Sequence, residues 1–196
     1  MSDGVEVTIR PITPEDRDEL KRGFAALTPR SRYLRFLGVS TELSERTLDY
    51  LTKVDQKDHV ALVAMVPTPD LKGERGVGVA RFIRLTSDPT TAEAAITVID
   101  EWQQRGVGSA LAIELGRAAR AMGIHTIRAE VLEDNATMIG ILEAAGAKRV
   151  DHGEDGGTFS YDLAIAPEPF EDRLKRVLRG AAETFGVASR LLRLPH

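Results

Sequence analysis

The sequence predicts an α/β (α+β) fold, a single domain with a mixed, mostly antiparallel sheet flanked by helices and followed by a C-terminal amphipathic helix. Three observations carry this. Segments that alternate apolar and polar residues, or stay apolar over strand length, are interleaved with stretches whose apolar residues recur at helical spacing. Three strand segments between residues 59 and 99 follow one another with only turns between them, which favours antiparallel pairing. Beyond residue 100 helices separate the strands, so the sheet is mixed and not a strictly alternating parallel one.

In order, "VEVTIR" (5–10) alternates as a strand, and "ITPEDRDELKRGFAAL" follows as a helix with Thr13 as cap, Pro14 at its first position and acidic residues in the first turn. "TPRSRYLRFLG" and "LSERTLDYLTKV" read as two short helices, the second capped by Ser44 and turning Leu48 and Leu51 to a core. "HVALVAMV" (59–66) and "VGVARFIRL" are strands joined by the Pro- and Gly-containing loop "PTPDLKGERG" (67–76), and should pair antiparallel. After "TSDPTT", "AEAAITVI" (92–99) is a third strand, and a helix runs from about Val107 to Met122, stopped by Gly123. "TIRAEVL" is the next strand. "ATMIGILEAA" is a helix capped by Asn135 that should bury Met138, Ile141, Leu142 and Ala145 before Gly146, and "AKRVD" with "TFSYDLAI" closes as a hairpin. The domain is thus expected over residues 1–166. Residues 167–196 carry an apolar stripe through Phe170, Leu174, Val177, Ala181, Phe185, Ala188 and Leu192, the pattern of a helix that packs on its own domain or on a second subunit, which makes a homodimer one expectation.

At 196 residues the chain has the length of one ordinary domain with an appendage. A formal charge of −4 gives no reason to expect a nucleic-acid partner, and no apolar run is long enough for a transmembrane segment. The absence of cysteine excludes disulfides, thiolate metal sites and a cysteine nucleophile. The start, "MSDGVEV", has neither the basic nor the apolar part of a signal peptide, so a cytoplasmic location is expected. His59, His125, His152 and His196 show no metal-ligand spacing, and no serine elbow accompanies them, so neither a metal nor a hydrolase triad is expected.

The chemistry concentrates in "EWQQRGVGSALA" (101–112). A helix start presents unpaired N–H groups and the positive end of the helix dipole, and so suits a phosphate. Gln104, Arg105, Gly106, Val107, Gly108 and Ser109 would ring such an anion with their amides, the glycines removing β-carbons from its path and Arg105 adding charge at the rim. Two glycines at a strand-to-helix turn also serve a tight turn alone. A P-loop is excluded because Ser109 and Ala110, not Lys and Ser or Thr, follow Gly108. A dinucleotide-binding turn lacks its third glycine, since Leu111 stands there, although Glu130 lies at a tolerable distance for a ribose; a dinucleotide-dependent oxidoreductase remains an alternative.

"AEAAITVIDEWQQRGVGSALAIELGRAARAMGI" resembles the acetyl-CoA-binding core of the GNAT N-acetyltransferases, whose signature is Gln or Arg, two residues, Gly, one residue, then Gly or Ala; Gln103, Gly106 and Gly108 match it. "DNATMIGILEAAGA" resembles that family's next block, and the likeness extends from about Val5 to Leu163. More narrowly, "LTPRSRYLRF" followed by "AEAAITVIDEWQQRGVGS" resembles bacterial protein lysine acetyltransferases of the Pat type. The resemblance implies an acetyl-CoA-dependent N-acetyltransferase whose acceptor is a primary amine, first of all a protein lysine and second a small-molecule amine. A non-catalytic CoA-binding module is the remaining alternative. The resemblance also implies that the diphosphate sits on the Gln104–Ser109 amides. The pantetheine arm would bond to the backbone near Ile96 and Val98, where a splayed sheet receives it as an extra strand.

An amine attacks only when neutral, so a base is needed. Glu93 is the candidate: it shares a strand face with Ala95 and Thr97 and matches the position where several GNAT members carry a glutamate base, and partial burial would tune it toward working pH. A backbone N–H near Val98 would stabilise the oxyanion. Many members place a tyrosine acid where this chain has Leu142, leaving Tyr33, Tyr50 and Tyr161 as substitutes or as packing residues. Asn135 caps its helix or touches the CoA arm. Arg32 and Arg35 line the acceptor site or serve as helix-surface charges.

Overall fold

The computed structural model describes residues 5–36, 42–70, 72–150 and 157–165. The expected C-terminal helix of residues 167–196, and any contact it makes with a second subunit, lie outside the described residues. The chain runs β1 (Thr8–Pro11), α1 (Arg17–Ala26), α2 (Pro29–Phe36), α3 (Glu45–Thr52), β2 (His59–Pro67), β3 (Glu74–Arg84), β4 (Thr91–Val98), α4 (Val107–Ala121), β5 (Thr126–Leu132), α5 (Ala136–Ala144), β6 (Lys148–Val150) and β7 (Thr158–Ala164).

The helix starts follow local chemistry. Thr13 and Asp16 form a capping box around Pro14, which opens a short 3₁₀ turn before α1. Ser44 accepts from the Thr47 N–H at the head of α3. Leu48 and Leu51 of α3 are buried, as their spacing requires. The first strand forms slightly later than expected, at Thr8, because only from there does it find register against β2, from Thr8↔Met65 to Pro11↔Leu62.

All strands join one sheet in the order β1-β2-β3-β4-β5-β7-β6. Among the described strands β4 and β5 are the one parallel pair. That topology removes the dinucleotide-oxidoreductase alternative, which needs successive parallel βαβ units. The sheet has two covered faces. On one, α4 lays Val107, Leu111, Leu115 and Ala119 on β2, β3 and β4, one residue every four positions and each nearly or fully buried. Gly78 of β3 lets it sit so close: a β-carbon there would lie 2.9 Å from Leu111 Cδ1 and 3.1 Å from the Thr97 carbonyl oxygen. On the other face α1 and α3 cover Ala61, Val63 and Met65 of β2 and Val79 of β3, together with Ile12 and Val54.

One burial expectation fails. Met138 is 37% exposed, while Leu142 and Ala145 are buried and Ile141 is half-buried. The α5 helix spans only nine residues and presents Leu142 to Val131 and Tyr161, too narrow a contact to cover a residue a turn earlier on the helix.

Candidate active site

β4 and β5 pair only from Thr91↔Thr126 to Glu93↔Arg128. Beyond Glu93 they part: β4 continues along β3 as far as Gly78↔Val98, while β5 continues along β7 from Ala129 to Leu132. Ala94 to Val98 therefore have a bonded neighbour on one side only. The Ile99 N–H donates to the Val77 carbonyl oxygen (3.0 Å), so by strand alternation Ile96 and Val98 turn their backbone groups away from β3 and into the gap. This is the splayed edge that the resemblance implies for the pantetheine arm.

The start of α4 lies at the end of the same strand. Gln103 folds back, its Nε2 donating to the Val98 carbonyl oxygen at 3.1 Å, and so fastens the turn to β4. Gln104 and Gly106 both take positive φ, 59° and 90°, so the chain reverses in two left-handed steps before entering α4 at Val107. Gly106 is the N-cap and no side chain caps the helix there, in contrast to Ser44 on α3 and Asn135 on α5. The Val107 side chain is fully buried, so that residue offers the site its backbone alone. Gly108 is different from Gly106: a β-carbon on it would meet only Val98 Cγ2, at an ordinary 3.7 Å. The fold itself does not require glycine at 108, and the space it leaves opens toward the helix start. Arg105 is exposed, its guanidinium 4.9 Å from the centre of the buried Trp102 ring. An uncapped 15-residue helix, a turn held open by glycine and a free strand edge fit the diphosphate and arm of acetyl-CoA.

Glu93 sits at the fork where β4 and β5 separate. It lines a cleft of about 280 Å³ with Arg35, Tyr50, Arg81, Ile83 and Ala95. Glu93 is exposed, which corrects the expectation of partial burial: the cleft that it lines with residues of α2, α3 and β3 leaves it open to solvent. Burial lowers the Arg35 pKa, and the Glu93 carboxylate offsets part of that. Burial also draws the Arg81 guanidinium down to about 10, with the nearby charge of Arg35 acting in the same direction, so Arg81 stays charged at neutral pH.

Arg32 and Arg35 part company. Arg32 donates to the carbonyl oxygens of Leu27 (3.1 Å) and Ala25 (3.0 Å) and lies over the Phe24 ring, closing the end of α1, whereas Arg35 reaches the cleft. Asn135 Oδ1 accepts from the Met138 N–H at 3.2 Å, the capping role. Leu142 is buried and brings no proton donor. Tyr161 is buried against Leu142, its hydroxyl 3.2 Å from a Glu143 carboxylate oxygen, and burial with that contact holds its proton above the usual tyrosine range. Tyr33 is exposed on α2, so Tyr50 is the tyrosine that shares the Glu93 cleft.

Sequence reasoning missed two contributors. Asp100, just after β4, accepts from the Thr28 N–H (2.9 Å) and from the hydroxyls of Thr28 and Ser31, and so ties the head of α2 to the site. Arg81 lies inside an apolar strand segment, where a lone arginine between Val79 and Ile83 on one face of β3 is itself a signal.

A splayed parallel pair over an uncapped helix start defines the class: a CoA-dependent acyltransferase. The acetyltransferase (GNAT) domain family matches residues 6–148, and the chain belongs to the GNAT acetyltransferase family. It is 33% identical over 178 residues to the acetyltransferase Pat of Mycolicibacterium smegmatis, covering 88% of this chain and 51% of that protein. The chain thus spans about half the length of that relative. It is 32% identical over 166 residues to an acetyltransferase of Pseudomonas aeruginosa, covering 84% of this chain and 87% of the other. The crystal structure of the GNAT domain of S. lividans PAT superposes with a TM-score of 0.74 at 31% identity, covering 83% of this chain and 92% of that one. GNAT acetyltransferases use acetyl-CoA. Among the described residues no helix is long and apolar enough to cross a membrane.

Proposed function

We propose that the protein acetylates the ε-amine of a lysine in a protein substrate, with Glu93 as general base. The position of Glu93 carries this reading: a carboxylate at the fork of β4 and β5, on the strand face that opens into a cleft and one step from the free backbone edge. The similarity to proteins named Pat supports the acetyl transfer, and the lysine acceptor is our extension of it.

Acetyl-CoA supplies the acetyl group activated as a thioester. The chain's own residues bind and orient it. The amides of residues 104–109 hold the diphosphate, with Arg105 at the rim, and the backbone of Ile96 and Val98 receives the arm. Glu93 takes a proton from the lysine ammonium, directly or through one water, so that the amine attacks as a neutral nucleophile. The Val98 N–H, which faces the gap, is placed to stabilise the oxyanion. α5 supplies no acid because Leu142 is apolar and buried, and a thiolate leaves without one more readily than an alkoxide. Tyr50 is the hydroxyl in the cleft.

Release of free thiol from acetyl-CoA, measured with lysine peptides and with small amines and read alongside mass spectrometry of the protein itself, tests the proposal. Turnover on peptides that exceeds turnover on polyamines and aminoglycosides supports it. Turnover on small amines alone replaces the acceptor, and thioester binding without thiol release on any amine removes the catalytic reading.

A further inference from the structure

Among the described residues, the charge of Arg81 has no counter-ion. Its residue is 6% exposed on β3, and among the described residues it forms no ion pair. Its contacts are neutral acceptors: Nη1 lies 3.1 Å from His59 Nε2, and Nη2 donates to the Leu51 carbonyl oxygen at 3.3 Å. Burial holds His59 below the usual histidine range, so its ring stays neutral and accepts from the guanidinium. A guanidinium has five donors, and a buried charge of this kind is costly unless something anionic joins it.

The guanidinium opens onto the cleft that holds Glu93, where Arg35 brings a second positive group and Thr47 and Tyr50 bring hydroxyls. Arg81 stands opposite Ala95, and Glu93 is the diagonal neighbour on the same sheet face, about 7 to 8 Å away by strand geometry. Both side chains line the same cleft, so one acceptor with its amine and carboxylate several bonds apart can meet both.

We infer that the acceptor carries a carboxylate close to its amine, and that Arg81, with Arg35 beside it, receives that carboxylate while Glu93 faces the amine. This rests on the acetyl transfer proposed at Glu93. A polyamine would bring only positive charge to Arg81, whereas an acidic side chain next to a lysine, or the α-carboxylate of a free amino acid, supplies what the buried arginine lacks.

The test compares matched acceptors: peptides with lysine followed by Asp against the same peptides with Asn, and free lysine against cadaverine. The expected result is a kcat/KM roughly tenfold or more higher for the acidic member of a pair, as one charge-assisted bond implies. The preference should reside in KM and collapse to within about twofold in Arg81→Gln. The peptide pair and the free-amine pair separate the two sources of the carboxylate. Independently of turnover, propionate should raise the melting temperature of the wild-type protein more than propionamide does, and the difference should vanish in Arg81→Gln. If Arg81→Gln does not fold, Arg35→Gln and the wild-type propionate comparison decide. Equal kinetics within both pairs, or equal melting shifts from propionate and propionamide, overturn the inference. If no amine is acetylated while propionate still stabilises, the assignment of Glu93 fails and the anion site stands.

Discussion

At the scale of single residues, two glycines in one turn do different work. Gly106 has φ of 90°, which a side chain tolerates poorly, so Gly106→Ala should cost about 1 kcal/mol of stability, measured by urea denaturation. Gly108 has room for a β-carbon, so its substitution should leave the fold intact and act on the ligand. Gly108→Leu is expected to keep a wild-type melting temperature within a few degrees and to lose CoA affinity by roughly a hundredfold or more in calorimetry, since its side chain blocks the approach of the diphosphate to the amides. Retained affinity would remove the cradle from the reading. Glu93→Gln should keep CoA affinity and lower kcat by roughly a hundredfold or more, most of all at neutral pH, where amine deprotonation limits the rate. Unchanged kcat would take Glu93 out of the mechanism.

At the scale of elements, α2 is held by its head. Asp100 binds Thr28 and Ser31, so Asp100→Ala should cost about 1 to 2 kcal/mol and raise the KM for the acceptor, because α2 carries Arg35 into the cleft. Burial pushes the Asp100 carboxyl up, but the bonds from Thr28 and Ser31 together outweigh it and the net shift is downward. The Arg10 guanidinium holds Asp16 down in the same way at the head of α1. For both carboxylates the unfolded chain binds more protons than the folded one. Their stabilisation is complete above about pH 4 and is lost as the pH falls further. His59, lowered by burial and by the charge of Arg81, adds an earlier step: its contribution is present above about pH 6.5 and declines below it. Melting temperature followed from pH 8 to pH 3 should therefore fall in two stages. His59→Gln, which still offers Arg81 an oxygen acceptor, should remove the first stage and leave the second.

At the scale of the whole molecule, the site depends on how α4 lies across the sheet. Leu111 is fully buried over Gly78, so Leu111→Ala should destabilise by about 2 to 5 kcal/mol, with a matching fall in the denaturation midpoint. Gly78→Val should cost at least as much, since its side chain would collide with Leu111 and the Thr97 carbonyl and lift α4 from β3. Lifting α4 moves the amides of residues 107–109 away from the edge of β4, so CoA affinity is expected to fall together with stability in that variant. The Gly108 variant should lose affinity alone.

The sequence by itself determined the elements and the motif. Strand alternation, the caps at Thr13, Ser44 and Asn135, and Gln103, Gly106 and Gly108 before an apolar helix are local signals, written within a few residues of the structure they produce. The tertiary structure alone decided where β4 and β5 part, that β7 and not β6 lies beside β5, that Glu93 stays exposed, and that Arg35 reaches the cleft while Arg32 closes α1. It also decided that Arg81 is buried against His59 and the Leu51 carbonyl, with no carboxylate bonded to it among the described residues. Each of these depends on pairing and packing between residues far apart in the chain, and the energies of such contacts are set by which surfaces meet, a quantity that no local window of sequence contains.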